Sequence, residues 1–138
     1  MILRHDIDNS LERALKFAKV EQEMSVKSTY FLLVTSDFYN VFSSRSSAIL
    51  GEIVSCGHEI GLHFDEVRYP GASTDEIRQK IVDEAKLLEQ AIEMPVTTVS
   101  MHRPSKAILD VDLKIPGIVN SYGAEFFKGF KYLSDSRR

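Results

Sequence analysis

The chain has 138 residues, 17 basic and 20 acidic side chains and a net charge of −3. It is thus long enough to bury roughly 70% of its unfolded surface as a single domain, 1–138, and it lacks the broad positive face that a nucleic-acid backbone requires. The longest apolar run, Tyr30 to Val34, falls far short of the roughly 20 residues of a membrane span, and a single cysteine, Cys56, excludes an intramolecular disulfide. Met1-Ile2-Leu3-Arg4 runs directly into charged residues without an apolar region of signal-peptide length, so a cytoplasmic location is expected.

In chain order, a first strand is expected at 1–6. Asn9 or Ser10 then caps a helix whose Leu11, Ala14, Leu15 and Ala18 recur at helical spacing, ending near Met24. A second strand covers 28–34. After a polar stretch, Ala48, Ile49, Ile53 and Cys56 share a helical face that Gly57 ends. A short third strand spans 59–63, and Arg68-Tyr69-Pro70-Gly71 reads as a turn. Ser73 and Glu76 form a capping box for a helix with an apolar stripe of Ile77, Ile81, Ala85, Leu88 and Ile92, stopped by Pro95. A β-branched fourth strand covers 96–101, a short helix or loop 106–113, and a fifth strand 130–133. This alternation predicts parallel strands joined by crossover helices, in a (β/α) barrel or an open doubly wound sheet. Eight strands typically take about 250 residues, so a barrel of this length would be small or incomplete.

Three polar clusters follow strands one, three and four: Arg4-His5-Asp6-Ile7-Asp8, Gly57-His58-Glu59-Ile60-Gly61-Leu62-His63, and His102-Arg103-Pro104. In an extended strand Asp6 and Asp8 point the same way. Two such carboxylates stay ionised together most simply around a divalent cation, although Asp8 alone could serve the following helix N-terminus. Neutral imidazole suits zinc-type ions. His63 is the better ligand candidate, whereas His58 reads as a structural histidine. Proline after Arg103 fixes a turn from which a guanidinium can pair with a carboxylate.

With these motifs the chain resembles the polysaccharide deacetylases, carbohydrate esterases that include chitin, peptidoglycan and chitooligosaccharide deacetylases. The spaced Asp6-Ile7-Asp8 and His102-Arg103-Pro104 are more similar to a branch associated with surface polysaccharide and O-antigen gene clusters than to the secreted chitin deacetylases. The resemblance spans residues 1 to about 136 and implies an incomplete or distorted (β/α) barrel of about five parallel strands. It further implies metal-dependent hydrolysis of an N-acetyl or similar acyl group from a sugar, with Asp6 as general base, Asp8 and His63 as metal ligands, and Arg103 orienting Asp6. The expected cofactor is a divalent metal, zinc first.

Two departures qualify that assignment. Where the family supplies a second histidine ligand, four residues after the first, this chain has Val67. Asp65, His58 or His102 would have to complete the site, His102 being the first choice. The family's late Leu-x-His, which protonates the departing amine, has no counterpart here, because no histidine follows His102. The segment 131–136 is similar to a mid-domain strand end, so the chain matches the first half to two thirds of such a domain. The alternative is a catalytically impaired remnant that binds carbohydrate or a partner chain, with exposed strand edges favouring homo-oligomers.

Overall fold

A computed structural model describes residues 2–131 and 133. Five strands, β1 (Arg4–Ile7), β2 (Thr29–Leu32), β3 (Glu59–Asp65), β4 (Thr98–His102) and β5 (Val119–Asn120), pair in that order, every pair parallel. Between them run α1 (Leu11–Glu23), α2 (Ser44–Ser55), α3 (Thr74–Ile92) and α4 (Lys106–Asp110), and α5 (Ala124–Gly129) follows β5. This open α/β sheet of five parallel strands with crossover helices is the architecture the sequence predicts. The fifth strand differs. Its place is 119–120, whereas Phe130 and Lys131 are not extended into a strand and Tyr132 lies outside the described residues. A two-residue strand closely following Pro116-Gly117 is too short to produce a visible alternation, and it is held by Val119 N donating to Thr97 O and Ser121 N donating to Val99 O.

Serine caps set the helix starts. The hydroxyl oxygens of Ser10, Ser43 and Ser105 accept from the backbone N–H three residues on, each satisfying an orphan donor of the first turn. Ser73 and Glu76 form the full reciprocal box, at 3.3 and 2.7 Å. Gly57 closes α2 at φ 91°, a left-handed position open to glycine at little cost.

Strand alternation divides the sheet into two faces. Tyr30, Leu32, Ile60, Leu62, Phe64, Val99 and Met101 face the helices and join Leu11, Ala14, Ala18, Ile49, Leu50, Ile53, Ile77, Ile81, Ala85 and Leu88 in one buried core. Within this layer lies a polar knot. Glu21 accepts from Ser28 Oγ (2.6 Å) and Tyr30 Oη (2.7 Å), and its other oxygen lies 2.6 Å from His5 Nε2. Burial raises the Glu21 pKa, but these bonds outweigh it and hold the carboxyl below its ordinary value. His58, buried beside the knot, accepts from Ser28 N at 3.3 Å through Nδ1 and donates to Ala18 O at 2.9 Å through Nε2. Both its nitrogens serve the fold.

Candidate metal centre

The opposite face carries the chemistry. Parallel register sets Asp6 beside Phe31, and Phe31 beside Gly61. One step further along, His63 pairs with Ser100, and one beyond that Asp65 pairs with His102. Asp8 stands just past the end of β1. Side chains at every second position therefore rise in rows from neighbouring strands toward the C-terminal end of the sheet, where such folds place their sites.

Asp8, His63 and His102 converge there. Asp8 Oδ1 lies 3.4 Å from His63 Nε2 and 3.5 Å from His102 Nδ1, and the two nitrogens are 3.0 Å apart. All three donor atoms fall within 4.8 Å of one another. On a tetrahedral zinc-type ion with bonds of about 2.0–2.1 Å, neighbouring ligand atoms are separated by about 3.3–3.4 Å, so the observed spacings fit such an ion. A second observation agrees: Asp8 Oδ1 is buried and has no hydrogen-bond partner, an arrangement that is costly unless a cation compensates it.

The nitrogens are prepared for ligation. His63 Nδ1 lies 3.3 Å from Ser100 O, which fixes the proton on Nδ1 and leaves the Nε2 lone pair turned toward Asp8 and His102. Burial pushes the His63 pKa down. Asp6 and Asp8 oppose this and His102 reinforces it, so the ring is neutral at pH 7. The rings of His63 and His102 meet edge to face at 79°.

The other candidate ligands are engaged elsewhere. Asp65 Oδ1 accepts from Val67 N at 3.3 Å and caps the short 3-10 turn Glu66–Arg68, while His58 belongs to the core on the far face. Val67, in the place of the second family histidine, is 65% exposed.

Arg103, expected to orient Asp6, is 73% exposed, with its guanidinium 4.0 Å from Asp65 Oδ2 at the rim of a cleft that Asp8 and His102 also line. His102 occupies the strand position that faces the site, so alternation and the left-handed turn at Arg103 (φ 48°) carry the next side chain away. The guanidinium beside Asp6 is that of Arg4, two residues earlier on the same strand face: Nη2 stands 3.5 Å from Asp6 Oδ2, and Nη1 donates to Ser121 Oγ at 2.8 Å. Ser100 Oγ donates to the other carboxylate oxygen, Asp6 Oδ1, at 3.2 Å. The sequence reading placed Arg4 in the first polar cluster without a role and passed over Ser100, although each sits two residues from a candidate, Arg4 from Asp6 and Ser100 from His102, which is the spacing that places strand residues on one face.

Solved structures with this fold include a family 4 carbohydrate esterase from Bacillus anthracis (TM-score 0.61, 17% identity, 86% of this chain and 56% of that one). A CE4 family pseudoenzyme from Bacillus anthracis aligns at TM-score 0.58 and 18% identity, over 86% of this chain and 41% of that one. A family 4 acetyl xylan esterase from Clostridium thermocellum, in complex with a cobalt ion, aligns at TM-score 0.50 and 19% identity, over 83% and 55%. At such identities the likeness establishes the fold. The chain spans about two fifths to just over half the length of these proteins. No protein-family model and no curated protein matches the chain.

Proposed function

We propose that the chain is a metal-dependent carbohydrate deacylase domain, removing an N-acetyl or similar acyl group from a sugar of a surface polysaccharide or its precursor. The observation that carries this reading is the buried, unpartnered Asp8 Oδ1 held against two imidazole nitrogens. Asp8, His63 and His102 would hold a divalent ion, zinc in the first instance, which supplies Lewis acidity toward a carbonyl oxygen and lowers the pKa of water from about 16 to near 7. The carbohydrate-esterase character of proteins with this fold supports the choice of substrate class.

Asp6 serves as the general base. Its carboxylate shares a strand face with Asp8, is not a member of the ligand triad, and is oriented through both oxygens by Ser100 and Arg4. A proton taken from the attacking water settles on this carboxylate, which Ser100 and Arg4 hold in one orientation for that transfer. His63 keeps its Nδ1 proton on Ser100 O, so its ring stays in one orientation as charge develops nearby.

Release of acetate from N-acetylated amino sugars by the metal-loaded protein tests the proposal. Wild type is expected to release acetate in proportion to bound metal, and Asp6→Asn to lose most of the rate while still binding the ion. Release that persists in Asp6→Asn or in chelator contradicts it.

A second reading is favoured by Val67 in the place of the second family histidine and by the pseudoenzyme among the structures of this fold. In that reading the chain binds carbohydrate or a partner without turnover, and the outer strands β1 and β5 favour association into homo-oligomers. Metal binding without acetate release separates this reading from the first.

A further inference from the structure

His63 and His102 reach the metal centre with unequal support. Ser100 O holds the far nitrogen of His63, whereas no group among the described residues hydrogen-bonds to His102 Nε2. The direction of the His102 ring is therefore set by the backbone that carries it. His102 ends β4, and Arg103 follows in a left-handed conformation, φ 48°, that a non-glycine residue adopts at a cost. After Pro104 comes α4, whose five residues are too few to sustain a helix unaided. Ile108 alone of the five is half-buried, the others being exposed. A cavity of about 320 Å³ lies between its Ala107 and Ile108 and the residues Tyr69, Pro70 and Ile77, so apolar packing holds this segment weakly.

Polar contacts take over. Ser105 Oγ caps α4 by accepting from Ile108 N at 3.3 Å. A complete capping box places an acidic side chain three residues after the serine, as Glu76 does for Ser73, but in α4 that position is Ile108. The missing acceptor comes from another loop: Glu66 Oε1 accepts from Ser105 N at 3.0 Å, across 39 residues of sequence. Its neighbour Asp65 stands opposite His102 in the β3–β4 register, with Oδ2 4.0 Å from the Arg103 guanidinium. Two consecutive carboxylates thus grip the segment 102–105 at both ends. Glu66 Oε2 is buried with no partner among the described residues, which offsets much of what the Oε1 bond adds to stability, yet that bond still ties the two loops together.

We infer that Glu66 is a positioning residue for the metal centre, a latch that holds the end of β4 so that His102 Nδ1 faces Asp8 and His63, an inference that rests on the metal reading of that triad. Glu66 directly precedes Val67, the residue in the place of the second family histidine. The turn that offers no imidazole of its own secures the one that β4 supplies.

Calorimetric titration of the metal-free full chain with Zn²⁺, and absorption spectra of the Co²⁺-loaded protein, test the latch without requiring turnover. Glu66→Ala should bind either ion at least about tenfold more weakly, the scale of loss when a group supporting a metal ligand is removed, and should alter the Co²⁺ spectrum. Glu66→Gln, whose amide oxygen can still accept from Ser105 N, should keep most of the affinity. In a His102→Ala background Glu66→Ala should cost no further affinity, whereas a merely structural loss would weaken binding equally in both backgrounds. Without metal, the Ser105 amide should exchange with solvent faster in Glu66→Ala than in wild type. Equal affinity of Glu66→Ala and wild type, an equal loss in both backgrounds, Glu66→Gln as weak as Glu66→Ala, or unchanged Ser105 exchange overturns the latch. The two readings fail separately: a His102→Ala variant that binds weakly beside an unaffected Glu66→Ala removes the latch alone, whereas a wild type that binds no ion removes the metal reading and the latch's role with it.

Discussion

Replacing Gly61 with alanine should damage the site from within the sheet. A Cβ at position 61 would stand 2.5 Å from Cε1 and 2.6 Å from Cδ1 of Phe31, and 2.6 Å from Thr98 Oγ1. Carbon atoms in contact prefer about 3.5–4.0 Å, so the overlap is about 1 Å and one of the three groups has to move. Phe31 is only 3% exposed and cannot swing into solvent without uncovering apolar surface. Overpacking of this kind costs about 1–3 kcal/mol, and at about 3–4 °C per kcal/mol for a chain of this size the midpoint should fall by about 3–12 °C. Thermal and urea unfolding of Gly61→Ala measure the loss. In a Phe31→Leu background, where the ring is gone, the same substitution should cost at least about 1 kcal/mol less. An unchanged midpoint, or an equal cost in both backgrounds, refutes the reasoning. His63 follows two residues later on the same face, so Gly61→Ala should also weaken metal binding.

Two buried carboxylates should respond to pH in opposite directions. Glu21 has a folded-state pKa below its ordinary 4.5; its ionised form therefore contributes stability that is fully present above that value and is lost as pH falls through the depressed one. Glu21→Gln, which turns an amide toward three donors, should cost about 1–3 kcal/mol at pH 7 and less below pH 4 in urea unfolding; a pH-independent difference contradicts the assignment. Glu84 is raised above 4.5, because burial outweighs the single hydrogen bond from Tyr69 Oη, and its Oε2 is without a partner. The ionised form therefore reduces stability as pH rises past the ordinary value. Glu84→Gln should equal or exceed wild type at pH 7 and lose that advantage below about pH 4.5; a destabilised variant at pH 7 contradicts it.

Long periodic elements were legible in the sequence because a buried face repeats many times along them. The stripe from Ile77 to Leu88 and the Ser73–Glu76 box define α3 without ambiguity. β5 was not legible, since two residues cannot display a period. At the site, Asp8, His63 and His102 were marked by residue type and by position at strand ends, and the fold brings their donor atoms together. The resemblance implied Arg103 as the group that orients Asp6; the structure sets Arg4 beside Asp6, on the face that alternation along β1 gives both, and Arg103 beside Asp65.

Titration of metal-free protein with Zn²⁺ and Co²⁺ by calorimetry tests the account most directly. One ion per chain should bind to wild type, with affinity lost in Asp8→Ala and His63→Ala and kept in Arg103→Ala, whose side chain supplies no ligand atom to the triad. Absence of binding, or Asp8→Ala and His63→Ala binding as tightly as wild type, would contradict it.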